Sequence, residues 1–219
     1  AHGEARAAVL KDAGDDPDVT NGARICATVS FPRPGVDHSS CVATGNLLLC
    51  RGEGVGLVTK PGLAVAVGEP AINPVPRRMI AEAVAEVTSL ALTVTISVAG
   101  GELLAEKTLN RRLGVIGGLS ILGTTGIVRP ISADAWTATI KASLDVAREA
   151  GLSEVVLSTG RTSEKGAQKQ LALPEEAYAM MGDYLHFSLC EAAARGFATI
   201  HLATMWAKAL KAALRIPQT

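Results

Sequence analysis

The chain has 219 residues, 48% apolar and 19% charged, a composition that can bury a full hydrophobic core and is too apolar for a disordered chain. Its 21 basic residues balance 21 acidic ones and only 3% of residues are aromatic, which argues against nucleic acid as a partner and against an aromatic stacking platform. An anionic small molecule stays open, because a few arginines in one cleft suffice to bind it.

Residues 1 to about 130 are rich in Gly, Pro, Val and Thr, a texture of short strands and turns. Arg24–Phe31 and Asn46–Arg51 read as strands, followed by a Gly-rich turn and a further strand around Val55–Thr59. Pro76 then opens a helix, with Met79, Ile80, Val84 and Val87 at helical spacing on one face. Leu90–Val98 is a β-branched run that reads as a buried strand, turned by Gly100-Gly101, and residues 109–130 are too Gly-rich for much regular structure. From 133 to 216 the texture shifts to Ala, Leu, Glu and Lys, which favours helices. Ser132 is placed to cap a helix running to about Ala150 and ended by Gly151. A strand over Glu154–Ser158 comes next, then a helix from about Glu164 and a longer one from Glu175 to Arg195. Phe197–Leu202 is a second strand and Trp206–Leu214 a last helix.

Strands separated by helices indicate a parallel sheet. The expected fold is therefore α/β, with an N-terminal α+β domain over 1–130 and a C-terminal α/β domain over 131–219 whose mainly parallel sheet is flanked by helices. Cys26, Cys41, Cys50 and Cys190 show no CxxC spacing, so four free thiols are expected, with no disulfide scaffold and no metal site. No apolar run reaches the roughly 18 residues that span a bilayer, and no secretory signal opens the chain. These features point to a cytoplasmic protein. The start at Ala1 without Met, and the stop just after a helical pattern, read as a fragment of something longer.

Four segments have the composition of binding sites. In Lys11–Gly22, four carboxylates (Asp12, Asp15, Asp16, Asp18) are punctuated by Gly14 and Pro17. They are either turn formers that bond nearby backbone N–H groups or a polar site with a general base. Arg51-Gly-Glu-Gly-Val-Gly56 follows a strand as a dinucleotide loop would, but no helix follows it, so a glycine-rich hairpin or bulge is the better reading. Gly114–Gly126 carries five glycines in the thirteen positions and has Walker-like spacing between Gly118 and Gly123, yet lacks the essential Lys. It reads as a ligand-facing backbone, with a tight structural loop as the alternative. Val155–Glu164 is a strand that runs into a Ser/Thr/Gly loop before a helix, where ligands of open α/β sheets sit.

Taken in order, these strings resemble the CbiD family, cobalt-precorrin-5B C(1)-methyltransferases. The matching stretches are Lys11–Gly22, Gly52–Gly56 with Val58–Leu63, Gly68–Arg77, Lys107–Asn110 and Leu113–Val128, so the likeness covers about residues 9 to 165. The family's N-terminal Thr-Thr-Gly turn is absent, and its Gly-Lys-Leu stretch is replaced by Ala203–Lys211, so the chain looks truncated at both ends relative to the family. The resemblance implies two domains and methyl transfer from S-adenosylmethionine to carbon 1 of a cobalt-corrinoid, within anaerobic cobalamin biosynthesis. It leaves open a homo-oligomer.

On that basis the cofactor is assigned to Gly117, Gly118, Ser120, Gly123, Thr124, Thr125 and Gly126, and to Ser158, Thr159 and Gly160. The polycarboxylate substrate is assigned to Lys11, Asp15, Asn21, Arg77, Arg78, Asn110 and Arg111, with Asp16 as base or hydrogen-bond organiser. A non-catalytic tetrapyrrole carrier or chaperone of the same pathway is the alternative. A dehydrogenase using Gly52–Gly56 is a third reading, disfavoured by the missing helix and the missing downstream ribose acid.

Overall fold

The computed structural model describes residues 3–15, 18–33, 38–123 and 132–216. The chain divides into two units, Ala1–Ile131 and Ser132–Thr219.

In the first unit, β1 (Glu4–Leu10), β2 (Arg24–Ser30), β3 (Cys41–Thr44), β4 (Leu47–Arg51) and β6 (Leu92–Val98) form one sheet in the order β1-β2-β6-β4-β3. Only β4 and β6 pair in parallel; the other pairs are antiparallel. Buried and half-buried residues alternate along β6, the period-2 signature of a strand with two unlike faces. Its buried Leu92, Val94, Ile96 and Val98 pack with Leu47 and Leu49 of β4. The helix α1 (Pro74–Ala85) covers this face with Ile80, Ala81 and Val84. Met79 and Val87, expected on the same face, are exposed instead. The helix begins two residues earlier than expected. Pro74 and Pro76 both lie in its first turn, where backbone N–H groups have no intrahelical acceptor. Short pieces complete the unit: β5 (Leu57–Val58) pairs antiparallel with β7 (Val115–Ile116), and α2 (Gly101–Ala105) follows β6.

The second unit is a three-layered α/β arrangement. Its strands β8 (Glu154–Ser158), β9 (Tyr178–Met180) and β10 (Thr199–Ala203) are parallel, in the order β10-β8-β9. Val155 and Leu157 face Ile140, Leu144 and Ala147 of α3 (Ala133–Glu149) and Ala192 of α5 (Leu185–Ala194). Val156 points the other way, towards Ala167 of α4 (Arg161–Gln170). Ser132 caps α3, its hydroxyl accepting from the N–H of Ala135 at 3.3 Å. The last helix, α6, spans Trp206–Ala213.

One expected element is absent. The long helix from Glu175 to Arg195 is replaced by a 3-10 turn at Glu175–Ala177, the strand β9, and α5. Its sequence is full of helix formers, but Ala177, Tyr178 and Ala179 are consecutive and all buried, a demand that one face of a surface helix cannot meet.

Candidate functional site

The glycine-rich segments of the first unit meet each other. A Cβ at Gly54 would lie 2.0 Å from the Val98 carbonyl oxygen, and one at Gly118 would lie 2.3 Å from the Gly54 carbonyl carbon. One at Gly101 would fall 2.3 Å from the Gly54 oxygen, and one at Gly56 3.0 Å from the Gly118 oxygen. These backbones touch because nothing larger fits between them. Hydrogen bonds fix the contact: Leu119 N–H donates to Gly54 O at 2.9 Å, and Gly56 N–H to Leu119 O at 2.9 Å. The buried Asn110 side chain also donates to Gly118 O at 3.2 Å. Gly52–Gly56 is thus a packed turn, closed by Val55 N–H donating to Gly52 O at 3.3 Å, with no helix after it.

The same contacts sort the glycine loop expected to face a cofactor. Gly118 is buried against Gly54, while Gly117 is exposed, with the Arg51 guanidinium 3.4 Å from where its Cβ would lie. Arg51 in turn donates to Val55 O at 3.1 Å. Ser120 is half-buried, and a Cβ at Gly123 would meet open space. Thr124, Thr125 and Gly126 lie outside the described residues.

The acidic loop joins β1 to β2 and is closed by its own groups. Lys11 N–H donates to Ala23 O at 2.9 Å, and Gly22 N–H to Lys11 O at 2.8 Å. The Lys11 ammonium pairs with Asp18 and donates to the Thr20 hydroxyl at 2.6 Å. Asp18 also accepts from the Thr20 N–H at 2.8 Å, Asp12 accepts from the Gly14 N–H at 2.8 Å, and Asn21 from the Ala13 N–H at 3.0 Å. Partial burial opposes ionisation of Asp18, but the hydrogen bonds from Lys11 and Thr20 outweigh it and hold its carboxyl below the ordinary range. Asp15 is exposed, and Asp16 lies outside the described residues.

Among the expected substrate anchors, Arg77 is occupied. It donates to Ile72 O at 2.6 Å and Pro70 O at 3.3 Å, and it pairs with Glu69 at 2.8 Å. Arg78 is exposed on α1 at 3.7 Å from Glu82, and Arg111 is exposed on the turn before β7.

In the second unit, the expected strand-end residues converge. Ser158 is fully buried, its hydroxyl 3.3 Å from a Glu164 carboxylate oxygen and 3.4 Å from Ala179 O. Thr159 N–H donates to Ala203 O at 3.0 Å, and the Thr159 hydroxyl lies 3.3 Å from that of Ser163. Gly160 caps α4, and its N–H donates to the Ser163 hydroxyl at 3.2 Å. β8 is the central strand: its chain leaves for β9 on one side, and β10 lies on the other. The β8 and β10 carboxyl ends therefore flank a topological switch point, where open α/β sheets bind ligands. The buried Ser163 and Glu164, not among the residues chosen from sequence, belong to this cluster. Their place in the first turn after a strand ending in Ser-Thr-Gly was the available signal.

The expectation of four free thiols fails for two of them. Cys41 and Cys50 are directly opposite in the β3–β4 ladder and are joined as a disulfide, while Cys26 and Cys190 are free. A search for CxxC spacing misses a pair that a hairpin brings together across strands.

A family model described as CbiD matches residues 1–130, and the chain belongs to that family. It is 66% identical over 214 residues to a cobalt-precorrin-5B C(1)-methyltransferase of Desulfotalea psychrophila, covering 96% of this chain and 59% of that protein. It is 56% identical to the protein of the same name from Geobacter sulfurreducens, with the same coverage, and 51% identical to that of Thermus thermophilus, covering 94% of this chain and 53% of that one. The chain thus spans about six-tenths or less of the length of these relatives. A crystal structure of a cobalamin biosynthesis protein (cbiD) from Archaeoglobus fulgidus is 28% identical, with a TM-score of 0.44 over 96% of this chain and 62% of that one. No helix among the described residues is long and apolar enough to cross a membrane.

Proposed function

We propose that the protein to which this chain belongs is a cytoplasmic enzyme that transfers a methyl group from S-adenosylmethionine to carbon 1 of cobalt-precorrin-5B. The observation that carries the reading is the 66% identity, over 96% of the chain, to a relative bearing that name. The bound cofactor would supply an electrophilic sulfonium methyl; the protein's part is to hold donor and acceptor in line.

The reading for the cofactor rests on the switch point at the β8 and β10 ends, with Thr159, Gly160 and Ser163 around the α4 start and Ser158 beneath them. Gly117, Ser120 and Gly123 are the candidates in the first unit and are tested separately. Arg78 and Arg111 are exposed cations suited to substrate carboxylates. Lys11, Asn21, Arg77 and Asn110 would support a substrate site indirectly, because their polar groups hold the chain's own backbone or carboxylates. Asp16, with Asp15 beside it, remains the proposed base or organiser.

Two glycines give a clean test. Gly123 and Gly160 have open space where a Cβ would go, so an added methyl leaves the fold intact. With full-length protein, calorimetric titration of S-adenosylmethionine is expected to weaken at least tenfold in Gly160→Ala, while the unfolding midpoint stays within about 0.5 kcal/mol of the parent. Gly123→Ala asks the same of the other loop. Unchanged affinity in both variants would remove these loops from the cofactor site. No binding by the parent protein would favour a non-catalytic tetrapyrrole carrier.

A further inference from the structure

The β3–β4 hairpin and the turn before it hold three metal-ligating atoms together at the edge of the first sheet. The Sγ atoms of Cys41 and Cys50 and a ring nitrogen of His38 all lie within 4.8 Å of one another. His38 Nδ1 is 4.0 Å from Cys41 Sγ, and the turn is closed by Cys41 N–H donating to His38 O at 3.0 Å. The next rung is hydrogen-bonded, Arg51 N–H donating to Ser40 O at 3.0 Å. This makes Cys41 and Cys50 a non-hydrogen-bonded pair, the ladder position at which facing side chains come closest.

A disulfide uses the two sulfurs and leaves the imidazole without a part. All three together are the Cys2His donor set of a thiophilic divalent cation such as zinc. With metal–sulfur bonds of about 2.3 Å, tetrahedral ligand atoms stand roughly 3.8 Å apart, so the reduced cysteines need only rotate about χ1 to open the space. Two thiolates balance a dication, which suits a half-buried site beside the buried Cys50.

We infer that, with Cys41 and Cys50 reduced, the His38–Cys41–Cys50 cluster binds one zinc-class divalent cation, with a fourth position left to water or a ligand. The dication enters, Cys41 and Cys50 each lose a thiol proton to solvent, and His38 binds as the neutral imidazole.

The experiment uses the chain reduced by a phosphine, freed of reductant without air and titrated with cobalt(II), then with zinc(II) against a chromophoric chelator. Expected are one equivalent of cobalt, sulfur-to-cobalt charge-transfer absorption in the near ultraviolet, and displacement by zinc. The Cys41→Ser/Cys50→Ser double variant should lose the charge-transfer bands. His38→Ala, which leaves both sulfurs in place, should weaken zinc binding at least tenfold. Cys190→Ser is the control, because Cys190 and His186 form a separate two-donor pair 3.8 Å apart on α5, and binding should survive it. Absence of binding by the reduced chain would overturn the assignment, as would retention of the bands in the double variant or full affinity in His38→Ala.

Discussion

Gly54 shows how a single position can decide a segment's role. Its φ of 73° and the Val98 oxygen 2.0 Å from a would-be Cβ leave no room for a side chain unless the backbone shifts. Gly68 also has a positive φ, 88°, but nothing lies within 4 Å of its would-be Cβ. Gly68→Ala should therefore cost only the left-handed backbone penalty, about 1 kcal/mol. Gly54→Ala adds a backbone collision and should cost about 2–4 kcal/mol. Denaturant midpoints of the two variants would show the gap, and equal losses would mean that Gly54 is not packed as described. This contact was invisible in the sequence. The string Gly52–Gly56 announces permissive backbone, but only tertiary structure reveals that the neighbour is Gly118 and not a phosphate. Lys11, Asp18 and Asn21 teach the same lesson: their residue types suit a binding loop, and their hydrogen bonds join them to each other and to nearby backbone.

At the scale of elements, α3 and α5 are clasped by charge. Arg195 donates to Asp145 at 2.7 Å and to Glu191 at 2.6 Å, and Lys141 stands 3.6 Å from Glu191. The Arg195 hydrogen bond, followed at a distance by Lys141, lowers the Glu191 carboxyl below its usual range, and the Asp145 hydrogen bond raises Arg195. A carboxylate more acidic in the folded state stabilises the fold above its unfolded value of about 4.3 and loses that contribution as pH falls through the folded value. Glu191→Gln should then be less stable than the parent by about 0.5–1 kcal/mol at pH 7, the range for partly exposed pairs, and converge on it in acid, below the folded value. A gap that stays constant over that range would show that the ion pair contributes nothing. Elements with strong local signals were legible: Ser132 as a cap, Gly151 as a stop, Leu92–Val98 by its β-branched run. β9 was not, since Glu-Glu-Ala-Tyr-Ala-Met has helical propensity and only burial on both faces makes it a strand. β1 was missed for a related reason: every residue in Glu4–Leu10 is exposed, so pairing with β2 defines it and no hydrophobic pattern does.

At the scale of the molecule, each unit has its own core: among the described residues, every cluster of buried apolar side chains lies within one unit. Leu49 and Leu144 are both fully buried, one in each unit, and truncating either to Ala should cost about 2–5 kcal/mol. The chain supplies a selective probe, because its two tryptophans, Trp136 and Trp206, are both in the second unit. Trp136 stacks on Tyr184 at 6.5 Å between ring centroids, so its emission follows the packing of α3 against the segment before α5. Leu144→Ala should therefore move the fluorescence transition to lower denaturant. Leu49→Ala should leave that transition in place and move only the part of the far-ultraviolet circular dichroism that comes from the first unit's strands. If Leu49→Ala shifted both signals together, the two cores would be unfolding as one cooperative body, and the division into separate units would describe geometry without energetics.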